Sequence, residues 1–344
     1  MTTDNMLKSL TGYTINVRGQ LIDLSVPQVM GILNCTPDSF FAGSRKQTER
    51  EIADRANEIV AQGASMIDVG AFSTRPGSPE VSEEEEMRRM RFGLEIVRRE
   101  QPDAVVSVDT FRPDVARMCV EEFGADIIND VSEGMSKNIL SATSQQRAEK
   151  ENAITDQNGC GKAATPHSTP HIPHPAEEDY PALFRMVARL GVPYILMSVR
   201  PTLREMMISF AREVQQLRDL GVKDIILDPG FGFGKTLEQN YQILNEMEKL
   251  HELGLPLLAG VSRKSMIFRL LNSTPDQSLN GTTVINTLAL AKGASILRVH
   301  DVTEAQEAVR IYTAMVGQAR HDGSCEDTER RSHAPAGELP VTQP

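Results

Sequence analysis

The strongest signal of chemistry in this chain lies at Ser262-Arg263-Lys264-Ser265, where an apolar run opens into a helix-like stretch. Free N–H groups at a helix start, two hydroxyls and two cations make an anion-recognition corner. A plain helix cap with a solvated Arg-Lys pair uses the same residues. A second cluster is Leu297-Arg298-Val299-His300-Asp301. Alternation along a strand sets Arg298 and His300 on one side, a pair suited to phosphate or pyrophosphate. Asp109, Asn129 and Asp228 also close apolar runs. With Lys264 they could clamp a flat heterocycle that carries both donors and acceptors. A 2-amino-4-oxo-pyrimidine edge would pair with one carboxylate in the fork geometry that Arg uses.

Other candidates are weaker. Asp228-Pro-Gly-Phe-Gly-Phe-Gly-Lys235 has three glycines but lacks the G-x-x-x-x-G-K-[ST] spacing, which excludes a nucleoside-triphosphate loop. Asn34-Cys-Thr-Pro-Asp38-Ser-Phe40-Phe41 reads as a mobile loop with an apolar tip. Ser73-Thr74-Arg75-Pro76-Gly77 offers a hydroxyl and a cation, and a simple turn explains it equally well. His167, His171 and His174 stand among prolines, and a polar linker accounts for them better than a metal set does.

The elements that must position these residues are eight short apolar runs, each ending on a polar or small residue. They are Val29–Asn34, Met66–Gly70, Val105–Asp109, Ile127–Asp130, Tyr194–Ser198, Ile225–Asp228, Leu257–Ser262 and Ile296–His300. Such runs are how parallel strands buried on both faces read. Helical stretches follow them at Thr48–Gln62, Ser82–Glu100, Pro113–Phe123, Pro181–Leu190, Leu203–Leu220, Leu237–Leu250, Thr282–Lys292 and Thr303–Val316. Eight βα units predict a (β/α)₈ TIM barrel, whose active site is assembled at the C-terminal ends of the strands. Ser82 and Glu85 suggest a capping box, and Gly63, Gly124, Gly191 and Gly221 stand where helices should stop. Thr14–Leu24 reads as a hairpin turning at Arg18-Gly19 that would plug the N-terminal end of the barrel.

Residues 1–26 form an N-terminal extension with the hairpin, and the barrel spans 27–316. Within it, 137–178 is polar and has no aromatic residue, so it is expected to be a disordered insertion after the fourth barrel strand. The tail, 317–344, is expected to be disordered as well. Without these segments the length approaches the about 250 residues of a typical barrel. The four cysteines show no zinc-like spacing and suit a reducing compartment. No apolar stretch would span a bilayer, and the N-terminus has no signal-peptide pattern, so a cytoplasmic protein is expected. A net charge of −11 argues against a nucleic-acid surface, so an anionic substrate would need a local cationic cluster.

In order along the chain, seven segments resemble dihydropteroate synthases, the pterin-binding TIM-barrel family. They are MGILNCTPDSFF (Met30–Phe41), IDVGAFSTRPGS (Ile67–Ser78), SVDTFRP (Ser107–Pro113), IINDVSE (Ile127–Glu133), ILDPGFGFGKTL (Ile226–Leu237), AGVSRKSM (Ala259–Met266) and ILRVHDVT (Ile296–Thr303). The resemblance implies condensation of 6-hydroxymethyl-7,8-dihydropterin diphosphate with p-aminobenzoate, giving dihydropteroate and pyrophosphate in folate synthesis, with Mg²⁺. It places Asp109, Asn129, Met197, Asp228, Phe233 and Lys264 at the pterin. Asn34, Thr74, Arg298 and His300 would bind the diphosphate, with Asn34 on the metal. Phe40, Thr74, Pro76, Ser262, Arg263 and Ser265 would form the p-aminobenzoate side, where sulfonamides would compete. Asp109, Lys264, Arg298 and His300 are the residues expected to carry catalysis. A homodimer through the last helices is also implied.

The chain departs from the family pattern after Met197, where Ser198 stands in place of His, and in the shortened stretch from Val199 to Arg204. A degenerate paralogue that binds pterin without turnover is therefore one alternative. A methyltetrahydrofolate methyltransferase-like barrel would have no use for the Ser-Arg-Lys-Ser corner. A Schiff-base aldolase using Lys264 lacks a surrounding aldolase motif.

Overall fold

The computed structural model describes residues 12–35, 45–71, 81–134 and 180–329. A hairpin, β1 (Thr14–Val17) and β2 (Gln20–Asp23), precedes eight parallel strands: β3 (Gln28–Asn34), β4 (Met66–Gly70), β5 (Val105–Asp109), β6 (Ile127–Asp130), β7 (Tyr194–Met197), β8 (Ile225–Asp228), β9 (Leu258–Ala259) and β10 (Ile296–Val299). Each strand from β3 to β7 pairs with its successor, and β10 pairs with both β9 and β3. The last gap, between β8 and β9, is spanned by one parallel bridge, Leu227 to Leu257. The expected barrel is therefore present. Its helices are α1 (Arg45–Ala61), α2 (Glu83–Glu100), α3 (Pro113–Phe123), α4 (Ala182–Leu190), α5 (Leu203–Asp219), α6 (Leu237–Glu246), α7 (Ser265–Leu270), α8 (Leu279–Ala291) and α9 (Val302–Glu329). A 3₁₀ segment, Met247–Leu253, extends α6.

Alternation along the strands splits the barrel into two cores. Outward residues such as Val29, Ile67, Val106, Ile128, Leu196 and Leu227 pack against the helices. Inward residues at the strand starts, Met30, Met66, Ile127, Ile195, Ile226, Leu258 and Ile296, meet Ile15, Val17 and Leu24 from the hairpin segment. The hairpin is thus the plug that its sequence predicts. Arg18 and Gly19 both have positive φ, 52° and 80°, as a two-residue hairpin turn requires. Burying Ile15 and Val17 there stabilises the fold by about 1.5–3 kcal/mol each. Arg18 fastens the turn, donating from Nε to Asp126 Oδ1 at 2.7 Å and from Nη2 to Oδ2 at 2.8 Å.

Several local expectations change. Ser82 accepts from Glu85 N at 3.3 Å, but the Glu85 carboxylate turns to Arg88 and Arg89, so only half of that capping box forms. A full capping box caps α6 instead, through Thr236 and Gln239. The apolar run Leu257–Ser262 pairs with neighbouring strands only at Leu257–Ala259 before the chain leaves the sheet. The last helix continues to Glu329, past Val316. The insertion 137–178 lies outside the described residues, in the connection between Gly134 and Tyr180 that follows the fourth barrel strand.

Candidate active site

Above the apolar plug the inward positions become polar. Asp68 on β4, Ser107 and Asp109 on β5, Asn129 on β6, Asp228 on β8 and Arg298 on β10 converge in the mouth of the barrel. Arg298 donates from Nε to Asp68 Oδ2 at 2.6 Å and from Nη2 to Asp109 Oδ2 at 2.9 Å. Asp68 Oδ1 accepts Ser107 Oγ at 2.6 Å, and Asn129 Nδ2 lies 3.3 and 3.4 Å from the two Asp68 oxygens. Asp109 Oδ1 and Asn129 Oδ1 are buried without a partner. Desolvation pushes the Asp109 carboxyl up to about 7. Arg298 opposes that rise, and the Asp68 charge adds to it. Burial alone would lower the Arg298 guanidinium, but its two carboxylate partners hold it above the ordinary value.

The opposite wall is built by the glycine-rich turn after β8. Asp228 Oδ1 accepts Gly230 N at 2.8 Å, and burial raises its carboxyl while Lys264 draws it back. Lys264 donates to Phe231 O at 2.5 Å, and its ammonium lies 4.4 Å from the centroid of the Phe233 ring. Burial pushes that ammonium down to about 7. Lys235 ties the turn to β7, donating to Ser198 O at 2.8 Å, Gly230 O at 2.9 Å and Phe233 O at 3.4 Å. Gly230 is obligatory, with φ +65° and Ser198 O only 2.2 Å from where a Cβ would stand. Met197 pairs in register with Asp228 and touches the same turn. A flat wall of carboxylate, ammonium and aromatic ring thus faces a wall of carboxylate and amide.

Of the residues singled out in the sequence, Arg298 and Asp109 meet directly, Asn129 joins them through Asp68, and Asp228, Lys264, Phe233 and Met197 share the second wall. Asn34 ends β3 at the rim, where a Cβ on Gly70 would lie 3.5 Å from its Oδ1 and 3.7 Å from Asp109 Cβ. His300 follows β10, and its N–H donates to Ser262 Oγ at 3.2 Å. Arg263 is turned away from the mouth. Its guanidinium makes a two-pronged pair with Asp301 at 2.9 and 2.8 Å and also reaches the Pro275 and Asp276 carbonyls. Ser265 is the first residue of α7. Phe40, Thr74 and Pro76 lie outside the described residues.

Asp68 and Lys235 are the residues that the sequence reading missed. Asp68 sits two positions before the end of a buried strand, so alternation alone aims it into the mouth. Ser198, where the family pattern carries His, donates to Glu133 Oε1 at 3.3 Å and accepts Arg200 N at 3.2 Å. Arg200 in turn pairs with Glu133 at 2.7 Å. A buried ionic clamp therefore holds the shortened stretch after β7.

A barrel mouth with two carboxylate-lined walls and a stacked ammonium defines a pterin-binding enzyme, and the chain matches the model of the family described as "Pterin binding enzyme" over residues 30–152 and 175–300. Within that family the chain belongs to the dihydropteroate synthases, transferases of folate biosynthesis. It is 36% identical over 299 residues to the dihydropteroate synthase of Escherichia coli (strain K12), covering 86% of this chain and 94% of that protein. The Xanthomonas albilineans dihydropteroate synthase with 4-aminobenzoic acid superposes with a TM-score of 0.70 at 30% identity, covering 89% of this chain and 98% of that one. The Yersinia pestis dihydropteroate synthase in its sulfonamide drug complex gives 0.69 at 33% identity, covering 88% and 99%.

Proposed function

We propose that this chain condenses 6-hydroxymethyl-7,8-dihydropterin diphosphate with p-aminobenzoate, releasing pyrophosphate and 7,8-dihydropteroate. The observation that carries the reading is the pairing of two buried carboxylates on opposite walls, Asp109 and Asp228, with Lys264 stacked on Phe233 between the glycine turn and the mouth. Asp228 takes the amino-pyrimidine edge, Lys264 donates to a ring or carbonyl acceptor, and Phe233 and Met197 contact the ring. Asp109 and Asn129 hold the other side.

The amine lone pair forms the C–N bond to the pterin methylene while the C–O bond to diphosphate breaks. Pyrophosphate leaves with the bonding electrons, and the amine gives up one proton. In a dissociative route, positive charge develops on the methylene beside Asp109, which stabilises it when ionised. Arg298, held by Asp68 and Asp109, supplies positive charge toward the leaving group, and His300, two residues on, is placed to donate a hydrogen bond to it. Ser262, Arg263 and Ser265, with Phe40, Thr74 and Pro76, form the p-aminobenzoate side. Arg263 acts there by fixing the corner through Asp301.

Mg²⁺ fits this rim. It takes oxygen ligands, keeps several waters and is usually bound via one or two carboxylates plus substrate phosphates. The exposed amide oxygen of Asn34 is such a ligand, and no group of three His, Cys, Asp or Glu that could cage a metal occurs among the described residues. When bound, the ion would neutralise charge on the leaving diphosphate.

The chain is expected to act as a cytoplasmic homodimer, organised as extension 1–26, barrel 27–316 and tail 317–344. Among the described residues no helix is long and apolar enough to cross a membrane. A second copy is supported by an apolar stripe on adjacent helices: Val284 and Leu288 on α8, Ile311 and Met315 on α9, all about half exposed or more.

The test is pyrophosphate release from pterin diphosphate, with and without p-aminobenzoate and Mg²⁺, in wild type and Lys264→Ala. Release should require amine and metal, and the variant should lose about 10²-fold or more. Tight pterin binding without any release in the wild type would refute the synthase reading.

A further inference from the structure

We propose that Asp68 is the positioning residue that decides which hydrogen-bonding polarity the pterin must present to the β5–β6 wall. The inference rests on the pterin reading above and deepens it.

Asp68 is fully buried and receives three neighbours at once: the Ser107 hydroxyl, the Arg298 Nε and the Asn129 amide nitrogen. An amide side chain has a donor end and an acceptor end. Because the carboxylate of Asp68 only accepts, it draws Nδ2 of Asn129 toward itself and leaves Oδ1 facing the other way. That oxygen is buried and unpartnered. Arg298, pinned at Nε by Asp68, places Nη2 on one oxygen of Asp109, and the second oxygen of Asp109 is likewise buried and unpartnered. Asp109 and Asn129 are register partners on adjacent strands. With Asp109 ionised, two acceptors therefore stand side by side, both held in place by a carboxylate behind them.

A ligand edge meeting this pair must bring N–H donors. In a 7,8-dihydropterin N8 carries hydrogen, whereas in the fully oxidised pterin it carries a lone pair. Against two acceptors, a lone pair leaves buried polar atoms unpaired, and sites of this kind reject an analogue lacking the donor strongly. Asp68 thereby selects the reduced ring without touching it. Nothing in this argument requires Asp68 to contact substrate, which separates it from Asp109 and Asn129.

The experiment compares equilibrium binding of 6-hydroxymethyl-7,8-dihydropterin and 6-hydroxymethylpterin to the full chain, for wild type, Asp68→Asn and Ser107→Ala. Wild type should favour the dihydro form by about tenfold or more. Asp68→Asn can meet Asn129 with a donor or an acceptor, frees the amide to turn, and should cut that ratio about tenfold. Ser107→Ala removes one of the groups that orient Asp68 while keeping the carboxylate. It should lower the ratio in the same direction by a smaller factor, and it carries the test if Asp68→Asn does not fold. A merely structural role would weaken both ligands equally and leave the ratio unmoved. An unmoved ratio in the folded variants overturns the inference while leaving the pterin reading intact. Failure of wild type to bind either ring overturns both.

Discussion

Asp109→Asn should make the protein without added substrate more stable at alkaline pH. The native carboxyl titrates at about 7 against an ordinary 3.8, because burial disfavours its charge and the Asp68 charge adds to that penalty. A carboxyl raised on folding contributes most to stability below its unfolded value of 3.8, and that contribution is lost as pH climbs through about 7. At about 1.4 kcal/mol per pH unit, three units put the burden at pH 8 near 4 kcal/mol. Against this stands the hydrogen bond from Arg298 Nη2 at 2.9 Å, a charge-assisted contact worth about 1.5–3 kcal/mol. An Asn oxygen still accepts that N–H, so only part of it is lost.

The net gain for Asp109→Asn at pH 8 is therefore about 1–3 kcal/mol. At pH 4 the gain should vanish, since the native carboxyl is already neutral there. Urea unfolding of wild type and variant at both pH values, read by circular dichroism, gives the two differences directly. A variant no more stable than wild type at pH 8, or a difference that does not change with pH, would refute the assignment of a strained carboxylate. The same variant should lose synthase activity, because it removes the charge placed beside the pterin methylene.

Two further changes test the plug and the glycine turn. Arg18→Ala should lower stability by about 1–2 kcal/mol in chemical unfolding without altering kcat, since it loosens the hairpin plug while Asp126 keeps Arg98 and the Val106 N–H. Gly230→Ala forces a left-handed residue to carry a Cβ against Ser198 O, and should cost about 2 kcal/mol or more while raising KM for the pterin diphosphate.

The strands were legible because burial on both faces leaves almost no choice of residue. Met66–Gly70, Val105–Asp109, Ile127–Asp130 and Ile225–Asp228 form with the limits that their apolar runs suggest. The run Leu257–Ser262 was misleading, since Val261 is as buried as a strand residue yet belongs to the turn that Arg263, at φ +53°, completes. Helix α7 has six residues, too few for a periodic signal to emerge. Strand ends also told where Asp109, Asn129, Asp228 and Arg298 would converge. They could not tell which partner a long cation chooses. Arg263 and Arg298 both end strands or corners, but one folds back on Asp301 and the other crosses the mouth to two carboxylates. That choice depends on residues far away in sequence, which no local pattern encodes.

Period two explains both the stability and the chemistry of this barrel. On β4 the inward sequence is Met66, Asp68, Gly70, and on β5 it is Val105, Ser107, Asp109. The first member of each set packs on the plug or against it, the second builds the hydrogen-bonded layer, and the third opens to the mouth. The apolar layer contributes burial energy that offsets the desolvation of the ionic layer above it. Three carboxylates, Asp68, Asp109 and Asp228, share the mouth with Arg298 and Lys264, and Lys235 adds a third cation beside Asp228. Desolvation, opposed by Arg298 and reinforced by the Asp68 charge, raises the Asp109 carboxyl to about 7. A ligand that brings N–H donors to Asp109 would favour its charged form and release the proton. The mouth is thus set up for a hydrogen-bond-donating ring, with its carboxylates and Arg298 placed by strand alternation and Lys264 by the turn into α7.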